Sequence, residues 1–85
     1  MSKKEKLIDK LKSNPKDFTF DDAESLLGYL GYSKSNKGRT SGSRVKFAND
    51  DTGDVILLHR PHPQKELREY QVRQLTEHLT QEEQI

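Results

Sequence analysis

The chain has no cysteine among its 85 residues and few hydrophobic residues of any kind. The lack of cysteine excludes a disulfide framework and thiolate metal sites, and it is compatible with a reducing compartment. No apolar run approaches the roughly 20 residues that a membrane-spanning helix needs, and residues 1–6 lack the core of a signal peptide. We therefore expect a cytoplasmic protein with no membrane partner.

Hydrophobic residues make up 29% of the chain, whereas charged residues make up 34%. At this length, so little apolar material predicts one small domain, packed through a few helical stripes and one face of a sheet. We find no internal repeat or linker long enough to separate domains. We expect an accessory helix over residues 1–15, the main domain over residues 16–80, and a frayed tail over residues 81–85.

A helix over residues 22–30 is predicted to contribute one apolar face to the hydrophobic core of this domain. Thr19 and Asp22 have the spacing of a capping box, in which side chains satisfy backbone N–H groups of the first turn. Gly31 stands where a left-handed residue commonly ends a helix. The apolar positions recur at helical spacing: Ala23, Leu26, Leu27 and Leu30. Such a pattern is typical of a core helix.

Two further helices flank this region of the sequence. A helix over residues 68–80 carries three inward positions, with His78 expected on the solvent side: Val72, Leu75 and Leu79. A shorter helix over residues 3–13 has a narrow apolar stripe, Leu7, Ile8 and Leu11, and is followed by Pro15. Because three apolar residues hold a helix only when it docks on something, we expect this one to pack as an appendage.

Two β-capable runs, residues 44–47 and 55–59, are separated by a dense turn signal, Asn49-Asp-Asp-Thr-Gly53. This arrangement predicts a hairpin. Side chains alternate along a strand, so Val45 and Phe47 should face the core while Arg44 and Lys46 face away. With a weaker strand over residues 32–36, the sequence predicts an α+β fold: a three-stranded antiparallel sheet with helices on one face and cations on the other.

The net charge of +1 conceals a basic segment at residues 32–48, which contains no acidic residue. Its five basic residues are Lys34, Lys37, Arg39, Arg44 and Lys46. Such a patch attracts phosphate backbones. It could equally be a solvated strand face that charge protects from aggregation. The loop at residues 37–43 contains two glycines, but it lacks the Gly-Lys-Ser/Thr ending of a Walker phosphate loop.

The predicted sheet ends in His59-Arg60-Pro61-His62-Pro63. No set of His, Cys, Asp and Glu with zinc-site spacing lies near these histidines, so we expect neither a metal site nor another cofactor. A histidine beside an arginine suits acid–base work on a phosphodiester, because an ordinary imidazole exchanges protons near neutral pH. The alternative is a strand end whose polar side chains simply meet water.

The chain resembles the HicA family, the small RNA-targeting toxins of bacterial toxin–antitoxin pairs. The resemblance covers roughly residues 20–79, and three motifs carry it in order. They are Leu30-Gly31-Tyr32, then Gly42-Ser43-x-x-x-Phe47, then His62-Pro63-Gln64-Lys65-Glu66-Leu67. No motif is specific alone, but their order and spacing together are typical of the family.

This resemblance implies a double-stranded-RNA-binding-like fold, α-β-β-β-α, to which the first helix is an addition. It implies cleavage of mRNA and neutralisation by a HicB-type antitoxin that covers the active face. Single- or double-stranded RNA is therefore the expected ligand. The candidate RNA-binding residues are Lys34, Lys37, Arg39, Ser43, Arg44, Lys46 and Arg60.

One departure from the family concerns Arg44, which stands where the family's catalytic histidine directly follows Gly-Ser. Arginine stays protonated and cannot act as a general base, but it can clamp a phosphate and stabilise developing charge. If the chain is a metal-independent endoribonuclease, the base must be His59 or His62, and His62 matches the family's His-Pro position. The alternatives are a non-catalytic RNA-binding module and a protein-interaction domain that uses the basic sheet face.

Overall fold

In the part of the chain that the structure describes, three helices and a three-stranded antiparallel sheet make up the fold, as the sequence predicts. The computed structural model describes residues 2–35, 44–61 and 63–85. In chain order the elements are α1 (Lys3–Lys12), α2 (Phe20–Tyr29), β1 (Tyr32–Ser35), β2 (Arg44–Asn49), β3 (Val55–His59) and α3 (Glu69–Gln81). The strands lie in the order β1-β2-β3, so β2 is central and the other two are edge strands.

Local sequence signals set both ends of α2. The Asp22 backbone N–H donates to Thr19 Oγ1 at 3.0 Å, and the Thr19 N–H donates to Asp22 Oδ2 at 3.2 Å, which completes the predicted capping box. Because Thr19 is the cap, the helix begins at Phe20, two residues before the predicted start. Gly31 has a φ of +95°, the left-handed conformation expected after the helix.

The accessory helix α1 docks on the rest of the protein, as its narrow apolar stripe predicts. Leu11 is fully buried, and Leu7 and Ile8 are partly buried against the core. Lys10 Nζ also contacts Asp22 Oδ2 at 3.3 Å, which links α1 to the start of α2. Within residues 2–35, 44–61 and 63–85, no helix is long and apolar enough to cross a membrane.

The core lies between the helices and one face of the sheet. Phe47, opposite Ile56 on β3, is 1% exposed, and Val45, opposite Leu58, is half-buried. The predicted register is therefore correct, since a slip of one residue would exchange the two faces. The remaining predicted core positions are all buried: Leu26, Leu27, Leu30, Val72, Leu75 and Leu79.

The chain between β3 and α3 is anchored to the start of α2. The Phe20 N–H donates to the Lys65 carbonyl at 3.1 Å, and the Leu67 N–H donates to the Phe18 carbonyl at 2.7 Å. Phe18, Phe20 and Leu67 are all buried. Periodicity in the sequence does not assign these three residues to the core, because they lie outside the periodic stretches of the helices and strands.

Asn49 fastens the hairpin turn to the end of α2. Its side chain is 3% exposed, and its Nδ2 donates to the Leu30 carbonyl at 3.2 Å. Its Oδ1 accepts from the backbone N–H groups of Asp51 and Thr52 at 2.9 and 3.2 Å. One buried amide therefore orders the turn and joins it to a helix, so the orientation of the hairpin on the core depends on Asn49.

Candidate functional site

The face of the sheet opposite the helices carries cations beside exposed apolar side chains. We call this surface the open face and define it by Arg44 and Lys46 on β2 and Val55, Leu57 and His59 on β3. All five are exposed. Lys46 lies opposite Leu57 in the strand register. The sequence predicted the cations on this face, and alternation along the strands accounts for their exposure.

Arg44 and His59 form a cross-strand pair at one end of the open face. They are direct partners in the β2–β3 register, and both side chains are exposed. Directly opposed residues on one face of an antiparallel pair have Cβ atoms about 4.5–5.5 Å apart. The pairing therefore puts a guanidinium, which stays charged, within reach of the same ligand as an imidazole. Such a pair can hold an anionic group and move a proton beside it.

Gln71 holds the end of β3 in place. Its side chain is 6% exposed, Nε2 donates to the His59 carbonyl at 3.0 Å, and Oε1 accepts from the Arg68 N–H at 2.9 Å. The amide thus caps α3 and fixes the strand end that carries His59. Gln71 was not among the residues predicted from the sequence. The available signal was its position three residues after the cap, where Glu and Gln are typical of a capping box.

Two of the sequence-predicted residues lie away from the open face. The Arg60 guanidinium lies over the Phe20 ring, 4.7 Å from its centroid, at the start of α2. Lys34 Nζ lies 3.7 Å from Glu24 Oε1 of α2. Arg60 and Lys34 therefore contact α2, and the structure does not bring them together with Arg44.

The remaining predicted site residues lie outside the part of the chain that the structure describes. They are Lys37, Arg39, Ser43 and His62. The part of the predicted site that the structure does assemble consists of Arg44, Lys46 and His59.

A second cluster of titratable groups lies where the hairpin meets α3. The Tyr32 hydroxyl donates to Asp54 Oδ2 at 2.5 Å, and His78 Nε2 lies 2.7 Å from the same oxygen. Burial and the hydrogen bond to Asp54 raise the pKa of Tyr32 above its ordinary range. Burial alone would raise the pKa of Asp54, but the bonds from Tyr32 and His78 outweigh it and hold that pKa below the usual range.

His78, which was expected on the solvent side, is therefore only partly exposed. Its side chain is 36% exposed and contacts Asp54, which precedes it by 24 residues. Periodicity along α3 alone does not show this contact, because the partner comes from a different element.

Asp54, His78 and Glu82 place one potential metal-ligand atom each within 4.8 Å of one another. Ligand spacing in the sequence does not predict this grouping, because Asp54 is 24 residues from His78. Asp54 Oδ2 already contacts Tyr32 and His78, and these contacts account for the closeness of Asp54 and His78. Glu82 is exposed at the end of α3. The geometry therefore gives no independent reason to place a metal ion there.

Comparison with known protein families identifies a matching family. The model of the family described as HicA toxin of bacterial toxin–antitoxin matches residues 20–81, which include every element except α1. Searches of curated proteins and of solved structures gave no match.

Proposed function

Because the chain belongs to the HicA family of bacterial toxins, we propose that it is an RNA-targeting toxin whose open face binds the RNA phosphate backbone. The Arg44–His59 pair carries this proposal, since it joins an anion-binding group to an acid–base group on one exposed surface. Lys46 is one step further along the same face and supplies a second contact for the backbone. Lys37, Arg39 and Ser43, which precede β2 in the chain, are proposed to extend this contact.

The proposed reaction is cleavage of RNA by its own 2′-hydroxyl. His59 takes the 2′-hydroxyl proton, and the resulting oxygen attacks the adjacent phosphorus while Arg44 holds the phosphate oxygens. The bond to the 5′-oxygen breaks, and that oxygen receives the proton from the imidazolium. The products are a 2′,3′-cyclic phosphate and a 5′-hydroxyl end. His62 remains the alternative base.

Neutralisation by a HicB-type antitoxin is the second part of the proposal. Val55 and Leu57 are 43% and 57% exposed on the open face, between and beside the cations. A protein partner that buried these apolar side chains would also cover Arg44 and His59. We propose that the toxin and its partner meet in the cytoplasm, where mRNA is available.

RNA binding is tested by measuring the affinity for a single-stranded RNA over a range of salt concentrations. Replacing both Arg44 and Lys46 with glutamine removes two phosphate contacts. We expect weaker binding and a logarithmic salt slope that falls by about 0.7 for each lost contact. Lys12→Gln is the matched control, because Lys12 is an exposed cation of α1 outside the matched region. Unchanged affinity in the double variant would reject the open face as the binding surface.

A second candidate function is RNA binding without cleavage, which Arg44 itself favours. A guanidinium cannot replace the general base that the resemblance to the family places at this position. The two functions are separated by incubating purified RNA with the parent protein and with Arg44→His, both in the presence of chelator. Cleavage by the variant alone would support the non-catalytic reading for the natural chain. If the parent protein cleaves RNA and His59→Ala abolishes the cleavage, RNA binding without cleavage is rejected as the function.

A further inference from the structure

A cleft of about 240 Å³ lies between the free edge of β3 and α3. Leu57 and His59 line it from the strand, and Tyr70 and Gln74 line it from the helix. Tyr70 and Gln74 are four residues apart, so they lie one above the other on one side of α3. The cleft begins at His59, which also faces Arg44 across the strand pair, so it is continuous with the open face.

The cleft has both apolar and polar walls, and two of its large side chains are open to solvent. Leu57 is 57% exposed and Tyr70 is 55% exposed. Leu79, which packs into the core from α3, is by contrast fully buried. The exposed Tyr70 ring provides a flat aromatic surface, and Leu57 provides an apolar side chain in the same cleft. Unpaired nucleobases stack on such rings in single-stranded RNA recognition.

Polar groups are also available inside the cleft. Gln71 Nε2 donates to the His59 carbonyl, which shows that this carbonyl points towards α3. Peptide groups alternate in direction along a strand, so the backbone N–H and carbonyl of Leu57 point the same way. Within the described residues, the Gln74 side chain makes no hydrogen bond. Its amide and the strand edge therefore offer donors and acceptors to the edge of a base.

We propose that this cleft binds one unpaired nucleobase of the RNA, next to the phosphate held at Arg44. Tyr70 stacks on the base, Leu57 supports its other side, and Gln74 contacts its edge. This inference rests on the proposed RNA function and adds to it that the bound RNA is single-stranded at that nucleotide. A base in a duplex is stacked and paired, so it could not enter the cleft without being extruded.

The test compares two short oligonucleotides that have the same backbone but differ in their bases. One is single-stranded RNA with 2′-fluoro groups, which cannot be cleaved by a 2′-hydroxyl, and the other carries abasic sites in its centre. We expect the parent protein to prefer the oligonucleotide with bases. Tyr70→Ala should reduce that preference by roughly 5- to 150-fold, the range that removal of one base-stacking contact covers. Tyr70→Phe keeps the ring and should retain the preference.

Tyr29→Ala is the matched control, because Tyr29 is also an exposed tyrosine, 49% exposed, but lies beside α1 on the helical side. Retained preference in Tyr29→Ala with loss in Tyr70→Ala supports the inference. If the parent binds the two oligonucleotides equally and its affinity still depends on Arg44, the base site is overturned. The proposal that the open face binds phosphate is then unaffected. A parent that binds neither overturns both proposals. Loss of antitoxin binding in Tyr70→Ala without any change in RNA preference assigns the cleft to a protein and overturns the inference.

Discussion

His78 and His59 lie near opposite ends of β3 and have different surroundings. His78 contacts Asp54, just before the strand begins, and Asp54 also accepts the Tyr32 hydroxyl. His59 is the last residue of the strand. Its carbonyl accepts from Gln71, but its ring is exposed and lies opposite Arg44. One histidine is held by hydrogen bonds within the fold, and the other has an exposed ring at a strand end whose backbone is itself held in place.

The comparison indicates that the polar residues of this chain have two different roles, one in stability and one in a candidate binding site. At the turn end, the Asn49 side chain donates to the Leu30 carbonyl at the end of α2, and the Asp54 side chain contacts His78 of α3. At the other end, Gln71 and the strand pairing hold the backbone of β3, and the side chains of Arg44 and His59 are exposed. We therefore expect substitutions at the turn end to change stability and substitutions at the open face to change RNA binding or cleavage.

The largest expected effect is on RNA cleavage, in the variant His59→Ala. Removing a positioned acid–base group typically lowers the rate by about 10²–10⁴-fold. The His59 side chain is exposed, so the thermal midpoint of unfolding should stay close to that of the parent. Single-turnover cleavage in chelator, with thermal unfolding followed in parallel, measures both. A parent-like rate would move the base elsewhere, with His62 the next residue to replace.

The next effect is on stability, in the variant Asn49→Ala. The substitution removes three side-chain hydrogen bonds and leaves the Leu30 carbonyl without this partner. At about 1 kcal/mol for each bond, the free energy of unfolding should fall by about 2–3 kcal/mol. Urea denaturation measures the loss. RNA affinity at a temperature where the variant is folded should match that of the parent, and a selective loss of affinity would contradict the division between the two ends.

A smaller effect is expected from Asp54→Asn, which removes the charge but keeps an acceptor for Tyr32. The free energy of unfolding at pH 7 should fall by about 1–2 kcal/mol, since hydrogen bonds to charged groups are stronger than neutral ones. The pKa of Asp54 is lowered in the folded state. Its contribution is therefore complete above the ordinary carboxyl pKa of about 4 and is lost as the pH falls through its lower folded value. Urea midpoints between pH 7 and pH 2 should show a shallower acid loss in the variant.

The smallest effect is expected from Tyr32→Phe, about 1 kcal/mol for one hydrogen bond. The pKa of Tyr32 is raised in the folded state, so its contribution is complete below the ordinary tyrosine pKa of about 10. As the pH rises above that value, the unfolded chain ionises first and the contribution declines. The difference in unfolding free energy between parent and variant should therefore shrink in alkaline solution. A constant difference from pH 7 to pH 11 would show that Tyr32 ionises in the fold as it does in the unfolded chain.

Local signals in the sequence predicted much of the architecture because each depends on neighbouring residues. The Thr19–Asp22 capping box and the left-handed Gly31 needed only residues within one turn. Alternation alone separated Phe47 from Lys46 on the two faces of β2. The aromatic anchors were missed because Phe18 and Phe20 pack against a segment more than 40 residues later, for which no periodic signal exists.

The sequence by itself determined the order of the helices and strands, the face on which Arg44 lies, and the family motifs that surround it. Only the tertiary structure decided which groups meet. The strand register made His59 the partner of Arg44, and the packing of α3 brought Gln71 to the His59 carbonyl and His78 to Asp54. The physical reason is that these contacts join elements that are distant in the chain. Their geometry follows from how the shared core packs, and no local preference of the residues encodes it.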